Sequence, residues 1–468
     1  MSGWFWVMIA VYLATLIGVG LHSWRKTKSA EDYIMAGSKI GVMVGMLTFA
    51  ATLFSTFTLL GMPKYFYAHG VGAWIFLAIP DAAMFFLVLW FGLHLRRVAA
   101  KHDYQGVGGL MSQCYGSPLA GIVYFMGVFF FLVPYVAIQI RGIATFLTEV
   151  SDILPMWGWA VGIICVMLMY SEVGGLRAII HCDAIQGTIL LIVIWIIALG
   201  CLSSLGGVSA MFDQVEAKNP ALLSTPGPEG KFTPQFLIAS FFAILLIPVT
   251  QPQVTTRLII IKDKKTMCHM AVGLSVFTML ILIPTIIIGL YGSLKYADST
   301  PQEFIAGVLL HEQPSLISAM VLVGLLAAAT STADSQLFAL GSELRSLLVL
   351  RGTSPLAYTR IAIFCFGGAA LAFALRSSDK FVDLARMSFA GTSLLAPMIF
   401  TGIFAKRKPG AEIPIVTGVA LVVFLMSLFK VIPGIIGGMR LDLGLLIVLS
   451  LTAIVSAFAR KGRLQGTN

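Results

Sequence analysis

Charge is what this chain has least of: 11% of its 468 residues are Asp, Glu, Lys or Arg, against roughly 25% in soluble domains. With 58% hydrophobic residues and a mean hydropathy of +0.93, that scarcity excludes a soluble fold. Cysteine is sparse as well. Six cysteines lie scattered, mostly inside apolar runs, which excludes a disulfide framework and a C-x-x-C metal pattern and leaves them as small apolar fillers. No nucleophile–base or metal constellation is legible, which argues against an enzyme. What the chain does have is length of apolar run. A membrane α-helix needs about 20 apolar residues, whereas barrel strands give weak alternating segments. Trp4–His22, Trp74–Leu95 and Leu176–Ser204 are runs of the helical kind, and the expected fold class is an all-α polytopic membrane protein.

Breaks between apolar stretches predict about thirteen transmembrane helices, at residues 4–22, 38–60, 73–95, 117–148, 154–172, 176–204, 233–259, 266–294, 315–349, 356–376, 380–405, 410–430 and 439–459. When successive loops are placed on opposite sides, 21 of the 31 Lys and Arg fall on one side and 8 on the other, with Arg141 and Arg386 left in spans. Arg257, near Lys262, Lys264 and Lys265, is counted on the basic side. The net charge of +10 therefore reads as the positive-inside bias of a membrane protein and not as a nucleic-acid footprint. That bias predicts the N-terminus outside and the C-terminus inside. Met1-Ser2-Gly3 lacks a positive n-region and no A-x-A site follows the first run, so the run is predicted to be retained as a helix.

The spans divide the chain into a leading helix and loop (1–37), a five-helix unit (38–204), a polar external stretch (205–232), a second five-helix unit (233–405), and two trailing helices with a short tail (406–468). Five is odd, so the two units start on opposite sides of the membrane, which is the geometry of a 5+5 inverted repeat. In such folds the first helix of each unit is interrupted near the midplane, freeing backbone groups to bind ions or solute. Ala51-Thr52-Leu53-Phe54-Ser55-Thr56-Phe57-Thr58, followed by Gly61 and Pro63, supplies the first interruption; Pro248-Val249-Thr250-Gln251-Pro252 supplies the second.

Positions 328, 331, 332 and 335 of Ala327-Ala328-Ala329-Thr330-Ser331-Thr332-Ala333-Asp334-Ser335 fall at i, i+3, i+4 and i+7 on one helical face. The hydroxyls of Ser331 and Thr332, with the carbonyl of Ala328, are able to converge on a small hard cation that prefers oxygen ligands. A neutral site of this kind suits Na⁺.

Gly174-Gly175, then Asp183, Gln186 and Gly187, followed by the Ala-x-x-Ser-Thr face at 328–332, resembles the sodium/solute symporter family over nearly the whole chain. The resemblance implies the ten-helix inverted repeat with one leading and several trailing helices. It implies a sodium site made of the carbonyls of Ala51, Phe54 and Ala328 and the hydroxyls of Ser331 and Thr332. It also implies a second cation site, used by some relatives, at positions matching Asp183, Ser331, Asp334 and Ser335. A carboxylate at 334 departs from those relatives, so Asp334 is expected to bind a cation, hold a proton, or pair with an Arg such as Arg386.

For the solute, the matching positions in the broken helix are Ser55 and Thr58, and Asp81 falls where family members line the cavity. Tyr135 and Gln139, one turn apart, sit in a segment resembling the monocarboxylate-like branch. Arg141 is expected to snorkel to the outer vestibule or to meet an anionic solute. His181 and Cys182 read as packing residues.

The function this implies is sodium-coupled import by alternating access, by a monomer in the cell inner (plasma) membrane whose partners are Na⁺, lipid and a small organic solute. The solute is read as an organic acid such as a monocarboxylate, with an amino acid, a sugar acid or a vitamin as alternatives. A transporter-like membrane sensor is the rival class, and only five residues follow Arg460-Lys461-Gly462-Arg463 to hold a signalling domain.

Overall fold

The computed structural model describes residues 3–37, 39–102, 104–151, 153–349, 356–377, 381–405 and 407–462. Arg351, Lys380, Lys406 and Arg463 of the charge count, and the unit boundaries at 38 and 406, lie outside them. The described chain is helical apart from one two-stranded hairpin, β1 (Ile435–Ile436) with β2 (Met439–Arg440). In chain order the α-helices are α1 (Gly3–Lys26), α2 (Ala30–Met35), α3 (Val42–Leu53), α4 (Met62–His69), α5 (Trp74–Ala99), α6 (Val107–Tyr115) and α7 (Pro118–Val150). They continue as α8 (Met156–Leu205), α9 (Val208–Lys218), α10 (Pro234–Leu245), α11 (Ile247–Thr250), α12 (Pro252–Ile260), α13 (Lys264–Lys295) and α14 (Pro301–Ala306). The last are α15 (Ser315–Val349), α16 (Leu356–Arg376), α17 (Phe381–Ser393), α18 (Ala396–Phe404), α19 (Glu412–Leu428) and α20 (Leu441–Gly462).

Eight described helical stretches are long and apolar enough to cross a bilayer, and α3 with the π-turn and α4 behind it forms a ninth, bent by 57°. Four shorter apolar helices, Met156–Met169, Pro234–Leu245, Glu412–Leu428 and Leu441–Ala457, fall below that length. The protein is thus a polytopic membrane protein. Its helix ends follow local chemistry. Ser117, Thr233 and Asp263 accept hydrogen bonds from Leu119, Phe236 and Thr266 amides at the starts of α7, α10 and α13. Gly116 and Gly206 close α6 and α8 in the left-handed region.

Several boundaries differ from those read in the sequence. The span placed at 38–60 runs on to His69, because the helix resumes at Phe57 after the break and its π-turn, Phe57–Gly61, passes directly into α4, with Pro63 accommodated just beyond that wider turn. The span at 233–259 is three consecutive helices. The polar stretch 205–232 contains the amphipathic helix α9, and the loop after α5 carries α6, both too short to register as apolar runs.

Helix α8 changes direction at Gly175, whose φ of +60° and ψ of −156° only glycine adopts without strain. A Cβ there would also stand 2.6 Å from the carbonyl oxygen of Tyr33. Gly175→Ala is therefore expected to cost at least ~1–3 kcal/mol of backbone strain and to reduce the yield of monodisperse protein in detergent, measured by fluorescence-detected size exclusion against Gly162→Ala, a position with open space.

The two interruptions are alike. Phe54 ends α3 in extended conformation at φ −92°, ψ 118°, and Gln251 separates α11 from α12 at φ −98°, ψ 117°. The start of the first broken helix also lies beside the end of the second: Ile40 donates its amide to the Ile260 carbonyl at 3.2 Å and accepts from the Lys262 amide at 3.1 Å. Around this pair, α15 packs on α8, α7, α1 and α3 and is buried along most of its length.

Candidate functional site

Ending α3 at Leu53 leaves its last carbonyls without intrahelical donors, and the Ser-Thr face of α15 is packed against them. Ser331 Oγ lies 3.1 Å from the Ala51 carbonyl and 3.1 Å from the Ala328 carbonyl, and Thr332 Oγ1 lies 3.3 Å from the Ala51 carbonyl. Gly187 lets α8 approach closely, since a Cβ there would sit 3.3 Å from the Ala51 Cβ. The structure thus brings together Ala51, Ala328, Ser331 and Thr332. Phe54 is at the break, in the extended residue itself. All five are buried, and the converging oxygens are neutral, the donor set a monovalent hard cation takes.

Next to the break a small cavity of about 20 Å³ is lined by Thr52, Phe54, Phe57, Asp81, Tyr135, Gln251 and apolar side chains from α3, α4, α5, α10, α11 and α17. Asp81 and Tyr135 face it directly. Ser55 touches it through Tyr135, the two hydroxyls standing 3.4 Å apart. Thr58 and Gln139 are placed differently: Thr58 Oγ1 accepts the Ser55 amide at 3.1 Å and Gln139 Oε1 accepts the Thr56 amide at 3.2 Å. They satisfy backbone donors set free by the break, and neither lines the cavity. Arg141 donates to the Ala374 carbonyl at 2.9 Å, at the end of α16, and is likewise not among the cavity residues.

One turn along α15 from the hydroxyl pair is a second polar cluster, and its centre is a residue that the charge count had put in a loop. Arg257, only 1% exposed, donates from Nη2 to Asp183 Oδ2 at 2.6 Å and to Ser335 Oγ at 2.8 Å. Its Nε donates to Thr48 Oγ1 at 2.9 Å and its Nη1 to the Gln253 carbonyl at 2.6 Å. Thr48 donates in turn to Asp183 Oδ2 at 2.6 Å. The signal for this was present: Arg257 falls inside the predicted span 233–259, where a cation needs an anionic partner. Arg386, offered as a partner for Asp334, instead meets Asp442 at 3.1 Å on the first turn of α20. Asp334 is buried on the same helix as Ser335. Gln186 of the Gly-Gly motif is tied to the leading helix, donating to Tyr12 Oη at 2.7 Å and Thr330 Oγ1 at 3.0 Å. His181 bonds its own helix at the Arg177 carbonyl, and Cys182 is packed in the core.

Paired broken helices around a buried oxygen cage and an adjoining small cavity are the architecture of a secondary transporter, not of an enzyme. Residues 33–353 match the model of the sodium:solute symporter family, and the chain belongs to that family. It is 24% identical to a sodium/pantothenate symporter of Haemophilus influenzae over 345 residues, covering 70% of this chain and 69% of that protein. It is 23% identical to an osmoregulated proline transporter of Bacillus subtilis over 463 residues, 92% of each. Among solved structures, the substrate-bound outward-open state of a Na⁺-coupled sialic acid symporter superposes with a TM-score of 0.81 at 17% identity, covering 97% of both chains. That likeness is one of fold.

Proposed function

We propose that the chain is a Na⁺-coupled symporter that imports a small organic solute across the plasma membrane, working as a monomer by alternating access. The observation that carries the reading is the oxygen cage that Ala51, Ala328, Ser331 and Thr332 form across the break in the first repeat, with Phe54 supplying the remaining carbonyl. The eight long stretches, the bent pair and the four shorter apolar helices support thirteen crossings, with the N-terminus outside and the C-terminus inside. The near-identical extended residues Phe54 and Gln251 support the 5+5 inverted repeat over 38–204 and 233–405.

The cavity shapes the solute. Asp81 is the sole carboxyl group, with no Lys, Arg or His, among its described lining residues, and the amides of Ser55, Thr56 and Phe57 are already taken by side chains. A bare monocarboxylate has no counter-charge there, and none of the relatives named above is named for one. The fit is to a solute carrying a donor group, an ammonium or a hydroxyl, that Asp81 and Tyr135 receive, with an apolar body against Phe57 and Phe389. Proline, pantothenate and sialic acid, from the relatives' names, each present such a group.

The test is uptake into proteoliposomes under an inward Na⁺ gradient, with those three solutes and a panel of amino acids, vitamins and monocarboxylates. Uptake driven by Na⁺ and not by K⁺ is expected for one solute class. Asp81→Asn is expected to weaken that solute about 10-fold or more, on the scale of a charge-assisted hydrogen bond, while Na⁺ binding measured without solute is kept. A monocarboxylate lacking any hydroxyl or ammonium group as the preferred solute, or equal losses for both ligands, overturns the assignment of Asp81. Reciprocity requires Na⁺ and the solute to tighten one another by the same factor.

A further inference from the structure

We infer that the groove between α5, α10, α18 and α20 is a binding site for an anionic phospholipid, with an acyl chain lying in the groove and the headgroup held by Arg97 and Arg407. The inference stands on the polytopic fold and is independent of which solute the protein carries. The groove has a volume of about 880 Å³ and runs along α20 from Leu443 to Ala457, with α18 beside it as far as Ala405. That length of helix rises about 21 Å, more than half of the ~30 Å hydrocarbon core of a bilayer, so an acyl chain anchored at one surface fits along it. The walls are apolar, and the two hydroxyls among the described lining residues are spent on their own helices: Thr401 donates to the Pro397 carbonyl and Ser450 to the Leu446 carbonyl, each at 2.7 Å.

The free charge lies at one end. Trp90 lines the groove and stacks on Phe404 with ring centroids 4.5 Å apart, and His94, one turn on, lies 4.8 Å from the same ring. Arg97 follows at i+7 from Trp90 and continues that face of α5. Its neighbour Arg96 is committed to the Ile261 and Lys262 carbonyls, whereas the Arg97 guanidinium is exposed and makes no ion pair or hydrogen bond among the described residues. Arg407, two residues beyond the lining Ala405, is exposed and unpaired in the same sense. Two free guanidinium groups closing an apolar trough at the membrane surface are a donor set for a phosphodiester headgroup. A zwitterionic headgroup brings its own ammonium to the same place and gains less. A second copy of this chain fits poorly, because a two-fold interface sets the same patch of each subunit against its twin, and Arg97 and Arg407 would face their own counterparts.

Trp90, 51% exposed, is the reporter. The full-length protein is reconstituted in phosphatidylcholine vesicles with rising fractions of dibrominated phosphatidylglycerol or dibrominated phosphatidylcholine, whose bromines quench tryptophan on contact; the Trp90 component is the difference between wild type and Trp90→Phe. Half-quenching of that component is expected at a fraction of phosphatidylglycerol about tenfold or more below that of phosphatidylcholine, since each surface arginine strengthens attachment to anionic lipid about fivefold. Arg97→Gln with Arg407→Gln, changes confined to exposed side chains, is expected to bring the two lipids within about twofold. Arg25→Gln with Lys26→Gln neutralises two exposed cations at the end of α1, which packs on α8 and α15, and is expected to keep the preference. Equal quenching by both lipids in the wild type, a preference that survives the paired arginine change, an equal loss in the α1 control, or a dimer that shields Trp90 from both lipids each overturns the inference and leaves the symport reading untouched.

Discussion

Removing both hydroxyls of the α15 pair, Ser331→Ala with Thr332→Ala, is expected to lower Na⁺ affinity by about 10²- to 10⁴-fold, and either change alone by about 10- to 100-fold. Each hydroxyl is an oxygen ligand offered to a charge, and such contacts are worth about 1.5–3 kcal/mol, with 1.4 kcal/mol to a decade of affinity. The carbonyls of Ala51 and Ala328 remain but lose the groups packed 3.1–3.3 Å from them. Folding should hold, because alanine here removes a neutral hydroxyl and leaves no buried charge. Thr330 is the control, one residue away on the same helix. Its hydroxyl is used at 2.9 Å on the Leu326 carbonyl and at 3.0 Å on Tyr12, so Thr330→Val should move stability and leave Na⁺ affinity within about twofold. The measurement is Na⁺ titration of intrinsic fluorescence or ²²Na⁺ binding. Unchanged affinity in both single variants would remove the cage from the sodium site.

What the sequence disclosed was whatever depends on periodicity along one helix. The i, i+3, i+4, i+7 face at 328–335 required only that α15 be helical, and it is over its whole described length. The Pro-flanked run 248–252 likewise placed its own break, since a Pro in the first turn of α12 fits the extended residue ahead of it. The break at Phe54 has no proline within it. There the helix stops because Ser55 and Thr58 turn their hydroxyls onto local amides and Gln139 of α7 caps a third, a competition of side chain with backbone whose last member comes from another helix. For the same reason spacing alone points Thr58 and Gln139 to the cavity, whereas the fold commits their polar atoms to amides at the break. The partner of Asp183 was hidden for a related cause. Arg257 and Asp183 are 74 residues apart, and only the fold, which packs α8 against the start of one broken helix and the end of the other beside that start, puts them in contact.

That contact should dominate the stability of the transporter's interior. Arg257→Leu or Asp183→Leu alone strands a buried charge, and such single breaks cost about 3–5 kcal/mol. Losing the arginine also removes the donors to Thr48 and Ser335, so Arg257→Leu should be the worse of the two. The neutral pair Asp183→Leu with Arg257→Leu should cost much less than the sum of the singles, because nothing charged is left buried; a double-mutant cycle is expected to return a coupling of at least ~2 kcal/mol for groups in direct contact within one network. The readout is denaturant or thermal unfolding in a fixed detergent, with Na⁺ replaced by choline so that ligand linkage does not enter. Adding Na⁺ back then separates electrostatics from packing. An ion that binds only the folded state stabilises it by RT ln(1 + [L]/Kd), about 2.7 kcal/mol at 100 times Kd. Arg257→Ala, with Asp183 uncompensated, should gain more from saturating Na⁺ than wild type does, whereas Asp183→Leu should gain no more than wild type. Additive single costs, with equal Na⁺ stabilisation in all variants, would show that the carboxylate and the guanidinium do not share one electrostatic balance, and the cluster would then be a hydrogen-bonded strut between α8, α12 and α15.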